Sequence, residues 1–160
     1  MKGSPRISRG SRNKAINYAL KLLSYRSRSR SEMIERLKKK GFSHQETERT
    51  VCYLQDRGFI EDRALAKELF NNAVERRSLG RMGIMVFLGR RGIDKELINE
   101  TISFHTREME MESADRFTRK RLENLKSYPD DVKRRRIRAA LYRRGFSSEV
   151  IREVVETVLE

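Results

Sequence analysis

Apolar residues along this chain recur at helical spacing, and nothing reads as a strand pair joined by turn chemistry. Ile16, Ala19, Leu20 and Leu23 fall at i, i+3, i+4 and i+7, one stripe of an amphipathic helix. Leu65, Ala66, Leu69, Phe70 and Ala73 mark another, for which Asp62 is the expected cap. Phe117, Arg121, Leu122 and Leu125 mark a helix that ends before Pro129. Val150, Ile151, Val154, Val155 and Val158 mark the last one.

Between these stripes one pattern occurs three times. The copies run from Met33 to Ser43, from Ile84 to Asp94 and from Ile137 to Ser147, with their glycines (Gly41, Gly92, Gly145) 51 and 53 residues apart. In register, each copy has an apolar residue eight before Gly, Leu four before it, two basic residues just before it and an apolar residue just after. Ser43, Asp94 or Ser147 follows. Glycine just past a helix takes the left-handed conformation without a Cβ penalty, and the residues before and after it touch in a Schellman motif. Ser or Asp then caps the next helix, and Ser29 with Glu32 and Ser43 with Glu46 have capping-box spacing. Leu54, Gly58 and Phe59 repeat the same ending.

Each copy is thus a helix, a glycine turn and a second helix, and the stripe before it supplies a third. The expectation is an all-α chain of three tandem three-helix repeats forming an elongated, curved array. A basic arm over residues 1–13 precedes repeats at 14–60, 61–105 and 106–160.

Composition agrees with an array of small cores: of 160 residues, 37% are hydrophobic and 38% charged. Lys and Arg number 37 against 23 Asp and Glu, a formal charge of +14, which favours an anionic partner. The first thirty residues hold nine of the basic side chains and no acidic one, and the first dozen read as a disordered arm, either solvated or touching phosphates. One cysteine, Cys52, excludes an internal disulfide framework. No apolar run is long enough to span a membrane, and Lys21 and Arg26 interrupt any signal-peptide core, so a cytoplasmic protein is expected.

Candidate chemistry is sparse. His44 and His105, the only histidines, fall in different repeats without metal-ligand spacing, and Gly80, Gly83 and Gly89 match no phosphate loop. Glu108, Glu110 and Glu112 are expected to be solvated, and Cys52, beside Val51, to be a buried thiol. No enzyme, metal or cofactor is expected. The recurring basic clusters carry more: Lys38, Lys39, Lys40; Arg90, Arg91; Arg134, Arg135, Arg136; Arg143, Arg144. They either complement helix dipoles or form a basic edge for phosphate or an acidic protein surface. Scattered tyrosines and no Trp argue against a dedicated single-strand reader. Polar or acidic residues after each turn argue against major-groove readout.

These residues resemble the RecX family, regulators of the RecA recombinase. The resemblance rests on Ala19-Leu20 to Leu23, Arg28 to Glu32, Leu37 to Phe42, Gly58 to Asp62 with Ala66, and Arg90 to Asp94, and covers about Ala15 to Glu160. It implies a fold of three three-helix repeats that binds RecA and lodges along the RecA–ssDNA filament; a monomer is expected as well. Such a protein would inhibit ATP hydrolysis, strand exchange, recombination and the SOS response without catalytic residues. Direct contact with single- or double-stranded DNA through the basic edge and arm is a further expectation, and a general DNA- or RNA-binding module is the alternative. One departure stands out: Phe87 sits where the family usually has a polar or acidic residue. The segment Met82 to Leu88 is therefore apolar nearly all round, and is either buried on both sides or offered to a partner.

Overall fold

A computed structural model describes residues 9–158, the side chains of Arg9, Ser11 and Arg12 excepted, so residues 1–8 of the expected arm lie outside it. Among the described residues there are nine helices and no strand. They are α1 (Arg9–Tyr25), α2 (Arg30–Lys40), α3 (His44–Asp56), α4 (Asp62–Glu75), α5 (Arg81–Arg90), α6 (Lys95–Ser103), α7 (Arg107–Glu123), α8 (Asp130–Arg143) and α9 (Ser148–Val158). They follow the three-helix repeat expected from the sequence.

Local chemistry sets most boundaries. Ser29 and Glu32 form a reciprocal capping box at α2, and Ser43 and Glu46 form one at α3. Asp94 accepts from the Leu97 N–H at 2.8 Å and Thr106 from the Met109 N–H at 3.3 Å, starting α6 and α7. At α4 the expectation needs correction: Glu61, not Asp62, accepts from the Arg63 and Ala64 N–H groups. Asp62 turns away and accepts from the Arg30 N–H at 2.8 Å, capping the first turn of α2 instead.

The glycine turns close as anticipated. Gly41 takes φ 100° and Gly145 φ 78°. The N–H of Phe42 reaches the Leu37 carbonyl (3.2 Å), and that of Phe146 reaches the Leu141 carbonyl (3.3 Å), the long bond of the Schellman motif. At the third such turn Phe59 stays exposed, and the neighbouring Ile60 takes the buried place.

The contacts divide the chain into two units. The first closes at Leu65 and includes Arg91–Ile93; the second consists of Ala66–Arg90 and the residues from Asp94 onward. The first unit packs α1 and α2 on α3 around Ala15, Ala19, Met33, Leu37, Val51, Leu54 and Ile60. On α1 the two alanines, rather than Ile16 or Leu23, sit at the centre of the buried stripe. The second unit builds a core from Ala114, Leu125, Ile137, Leu141, Phe146, Val150, Ile151, Val154 and Val155. Burying a side chain of this size stabilises the fold by roughly 1.5–3 kcal/mol.

The same junction occurs once in each unit. In the first, the α5–α6 turn meets the start of α2: Arg91 donates to the Ser27 carbonyl at 2.9 Å, and a Cβ on Gly92 would lie 2.5 Å from Ser29 Oγ. In the second, the α8–α9 turn meets the start of α5. There Arg144 donates to the Arg77 carbonyl, and a Cβ on Gly145 would lie 2.1 Å from the Gly83 nitrogen. A carboxylate completes each junction by accepting from the first helical N–H: Asp62 from Arg30, and Glu110 from Arg81 at 3.0 Å.

Candidate functional site

Three of the basic clusters end α2, α5 and α8, because cationic side chains suit the carbonyl end of a helix, while Arg134, Arg135 and Arg136 lie in the first half of α8. Their surroundings separate them into two groups. Lys38, Lys39 and Lys40 are exposed in the last turn of α2, with the Lys40 ammonium 5.6 Å from the Tyr18 ring. Arg90, Arg135 and Arg143 are likewise exposed. Arg136 is exposed but lies over the Tyr128 ring at 4.1 Å, and Arg134 is half-buried.

Arg91 and Arg144 have internal occupations. Arg91 pairs with Glu32 at 3.4 Å besides reaching the Ser27 carbonyl. Glu32 also takes both Arg26 guanidinium nitrogens, at 2.7 and 3.1 Å. Burial alone would raise the Glu32 carboxyl. Hydrogen bonds from Arg26 and the Ser29 N–H, with the charges of Arg26 and Arg91, hold it below the usual carboxylate range. Arg144 lies over the Phe117 ring at 4.2 Å, and burial followed by the Arg121 charge lowers its pKa. Within these clusters the solvent-facing cations are therefore Lys38, Lys39, Lys40, Arg90, Arg135 and Arg143, with Arg136 held over its tyrosine.

Two side chains differ from their sequence expectation, and one apolar stretch divides between its two alternatives. Cys52 is exposed: the buried face of α3 is Thr47, Thr50, Val51 and Leu54, and the next residue round a helix points about 100° away. Glu110 is buried rather than solvated, 6% exposed, and accepts from the Arg81 and Ser147 N–H groups at 3.0 and 3.3 Å. The stretch Met82 to Leu88 is split, with Ile84 and Leu88 fully buried and Met82 and Val86 about half exposed.

Met82 and Val86 join a groove that the sequence did not reveal. It encloses about 310 Å³ between α5 and the end of α8. Met82, Val86 and Phe87 line one side and Tyr142 the other, with Arg77, Arg90, Arg143 and Arg144 around them. The Arg77 guanidinium sits 4.5 Å from the Phe87 ring. What brings the walls together is backbone contact between Gly83 and Gly145, with the Met82 N–H donating to the Gly145 carbonyl at 3.1 Å.

His105 is buried at 4% exposure, edge-on to Phe70 with ring centroids 5.9 Å apart, and neither ring nitrogen has a hydrogen-bond partner. Burial lowers its pKa, with Glu110 opposing and Arg81 adding to the shift. Among the described residues no group of three or more His, Cys, Asp or Glu side chains is placed to hold a metal ion, and no helix is long and apolar enough to cross a membrane.

Comparison with known proteins places this architecture. Residues 15–54 match the model of the first three-helix domain of RecX, and residues 108–155 match that of the third. Regulatory protein RecX of Chlorobaculum tepidum is 31% identical over 96% of this chain and 93% of its own. That of Thermotoga maritima is 33% identical over 91% of this chain and 84% of its own. The crystal structure of RecX from Lactobacillus salivarius superposes with a TM-score of 0.78 at 21% identity, covering 93% of this chain and 97% of that one. With repeats at both ends matching family models and relatives aligned over nearly their whole length, the chain belongs to the RecX family of regulatory proteins.

Proposed function

We propose that this protein regulates RecA by occupancy: it binds RecA and the RecA filament on single-stranded DNA, and thereby inhibits ATP hydrolysis, strand exchange, recombination and SOS activity. It does so in the cytoplasm as a monomer, without catalysis or cofactor. The observation that carries this reading is membership of a regulatory family, with a relative aligned over 96% of the chain. The surface supports it: cations at Lys38–Lys40, Arg90, Arg135 and Arg143 face solvent, available to acidic protein or phosphate groups.

The test is ATP hydrolysis by RecA on single-stranded DNA, with this protein titrated from far below equimolar and excess DNA as a control for template competition. Inhibition at sub-stoichiometric dose is expected. Unchanged hydrolysis by folded protein would refute the reading.

The net charge of +14 favours a second reading, a general nucleic-acid-binding module. Its mark would be tight binding to DNA or RNA in the absence of RecA, falling steeply with salt.

A further inference from the structure

Met82, Val86 and Arg90 stand at i, i+4 and i+8 on α5, a single row about 12 Å long. Met82 is 58% exposed and Val86 49%, although the same helix buries Ile84 and Leu88 completely. Across the groove Tyr142 is 74% exposed. On the far side of Tyr142 lies a second depression, formed by Arg138, Ala139, Ile151 and Arg152 with Ser148. Tyr142 is thus a ridge between two apolar-floored hollows.

The charges around these hollows are of one sign. Every charged residue lining either of them is an arginine, and no Asp or Glu lines them, in a chain that has 23 acidic residues. A merely solvated helical face mixes signs, which lowers self-repulsion. Exposed Met and Tyr ringed by arginine is instead the composition of a protein interface.

We propose that the Met82–Val86–Tyr142 groove docks an acidic amphipathic helix of a partner protein. The helix lays apolar side chains at i, i+3, i+4 and i+7 into the groove and sets Asp or Glu against Arg90, Arg143, Arg138 and Arg152. Groove and row both run along a helix, the geometry in which one helix receives another. Nucleic acid fits less well, because Tyr142 is the one exposed aromatic ring in the lining and Phe87 is half-buried under Arg77, where a strand needs a succession of stacking faces. A second copy of this chain would bring a surface of the same sign. The proposal deepens the RecA reading by naming the class of partner surface, and rests on that reading only for which protein carries the helix.

The test uses the full chain and a fluorescein-labelled helical peptide of 18 residues, with Leu on one face and Glu on the flanks, read by anisotropy. The same peptide with Lys for Glu and a labelled oligo-dT serve as comparisons. The Glu peptide should bind, the Lys peptide should not, and M82Q/Y142S should weaken the Glu peptide about tenfold or more while leaving oligo-dT affinity and helicity unchanged. Failure of the wild-type chain to bind the Glu peptide, or equal binding by the variant, overturns the proposal. A parallel loss of oligo-dT reassigns the groove to nucleic acid, and dimerisation abolished by the variant reassigns it to a second copy. RecA hydrolysis is measured alongside. Peptide binding without RecA inhibition sinks the RecA reading and leaves the groove standing, and inhibition without peptide binding does the reverse.

Discussion

Two alanine substitutions in the same helix should have opposite effects. A Cβ on Gly83 would lie 2.1 Å from the Arg144 carbonyl oxygen and 3.0 Å from its carbon, both backbone atoms with no rotamer to yield. A Cβ on Gly89, six residues on in α5, would meet only Ile98 Cδ1 at 3.7 Å, an ordinary contact. Replacing Gly by Ala within a helix stabilises by roughly 0.5–1 kcal/mol when nothing intervenes. Gly89→Ala should therefore raise stability by about that amount.

Gly83→Ala must push the α8–α9 turn off α5. Overpacking of this kind costs about 1–3 kcal/mol. The displacement also strains the bonds from the Gly80 N–H to the Arg144 carbonyl (3.0 Å) and from the Met82 N–H to the Gly145 carbonyl (3.1 Å). Each contributes about 0.5–1.5 kcal/mol. Net of the helix-propensity gain, the loss should be about 2–3 kcal/mol. Urea denaturation followed by circular dichroism, with midpoints compared at constant slope, measures both variants. A Gly83→Ala protein as stable as Gly89→Ala would refute the close backbone junction.

Arg91→Ala should destabilise by about 1–2 kcal/mol through its lost bond to the Ser27 carbonyl and its lost pairing with Glu32, which keeps Arg26, whereas the exposed neighbour Arg90→Ala should stay within about 0.5 kcal/mol, both read by the same melt. His105 is held neutral by burial, with its pKa below the ordinary 6.5, so its contribution is complete above that value and is lost as pH falls through the folded-state one. His105→Phe should therefore lose less stability than wild type on acidification from neutral pH, and a parallel decline in the two proteins would refute this. Reversing Lys38, Lys39 and Lys40 to Glu should lower the salt slope of oligo-dT binding by about 2 if all three meet phosphates, at about 0.7 per contact. An unchanged slope would remove α2 from any nucleic-acid contact.

How much of this was visible in the sequence follows from what a helical period reports. Gly41 and Gly145, Ser29 with Glu32 and Ser43 with Glu46 act within a few residues of themselves, so spacing alone located them. The buried face of α9 was equally plain, because four of its valine and isoleucine positions share one stripe. Asp62, Glu110, Arg91 and Arg144 could not be placed that way, since their partners lie 29 to 67 residues away. Each looked like an ordinary charged residue on a helix end or flank. Sequence alone does not separate Arg91 and Arg144 from their exposed neighbours, because adjacent residues in a basic pair look alike, although one step along the chain turns a side chain from solvent to a carbonyl. One clue was present: glycines at 80 and 83, matching no phosphate loop, are what a close backbone approach requires. The groove depended on that approach, so Tyr142 and Val86 could not be paired before the junction was known.

The most direct test of the account is the dose of this protein needed to halve ATP hydrolysis by RecA on single-stranded DNA, compared between wild type and R90E/R143E. Both arginines are solvent-facing and border the groove, so the variant should keep its fold. Wild type should inhibit below equimolar dose, and about tenfold more of the variant should be required, as expected when cations at a protein interface are reversed. Equal potency of the two proteins, or no inhibition by either, would contradict this.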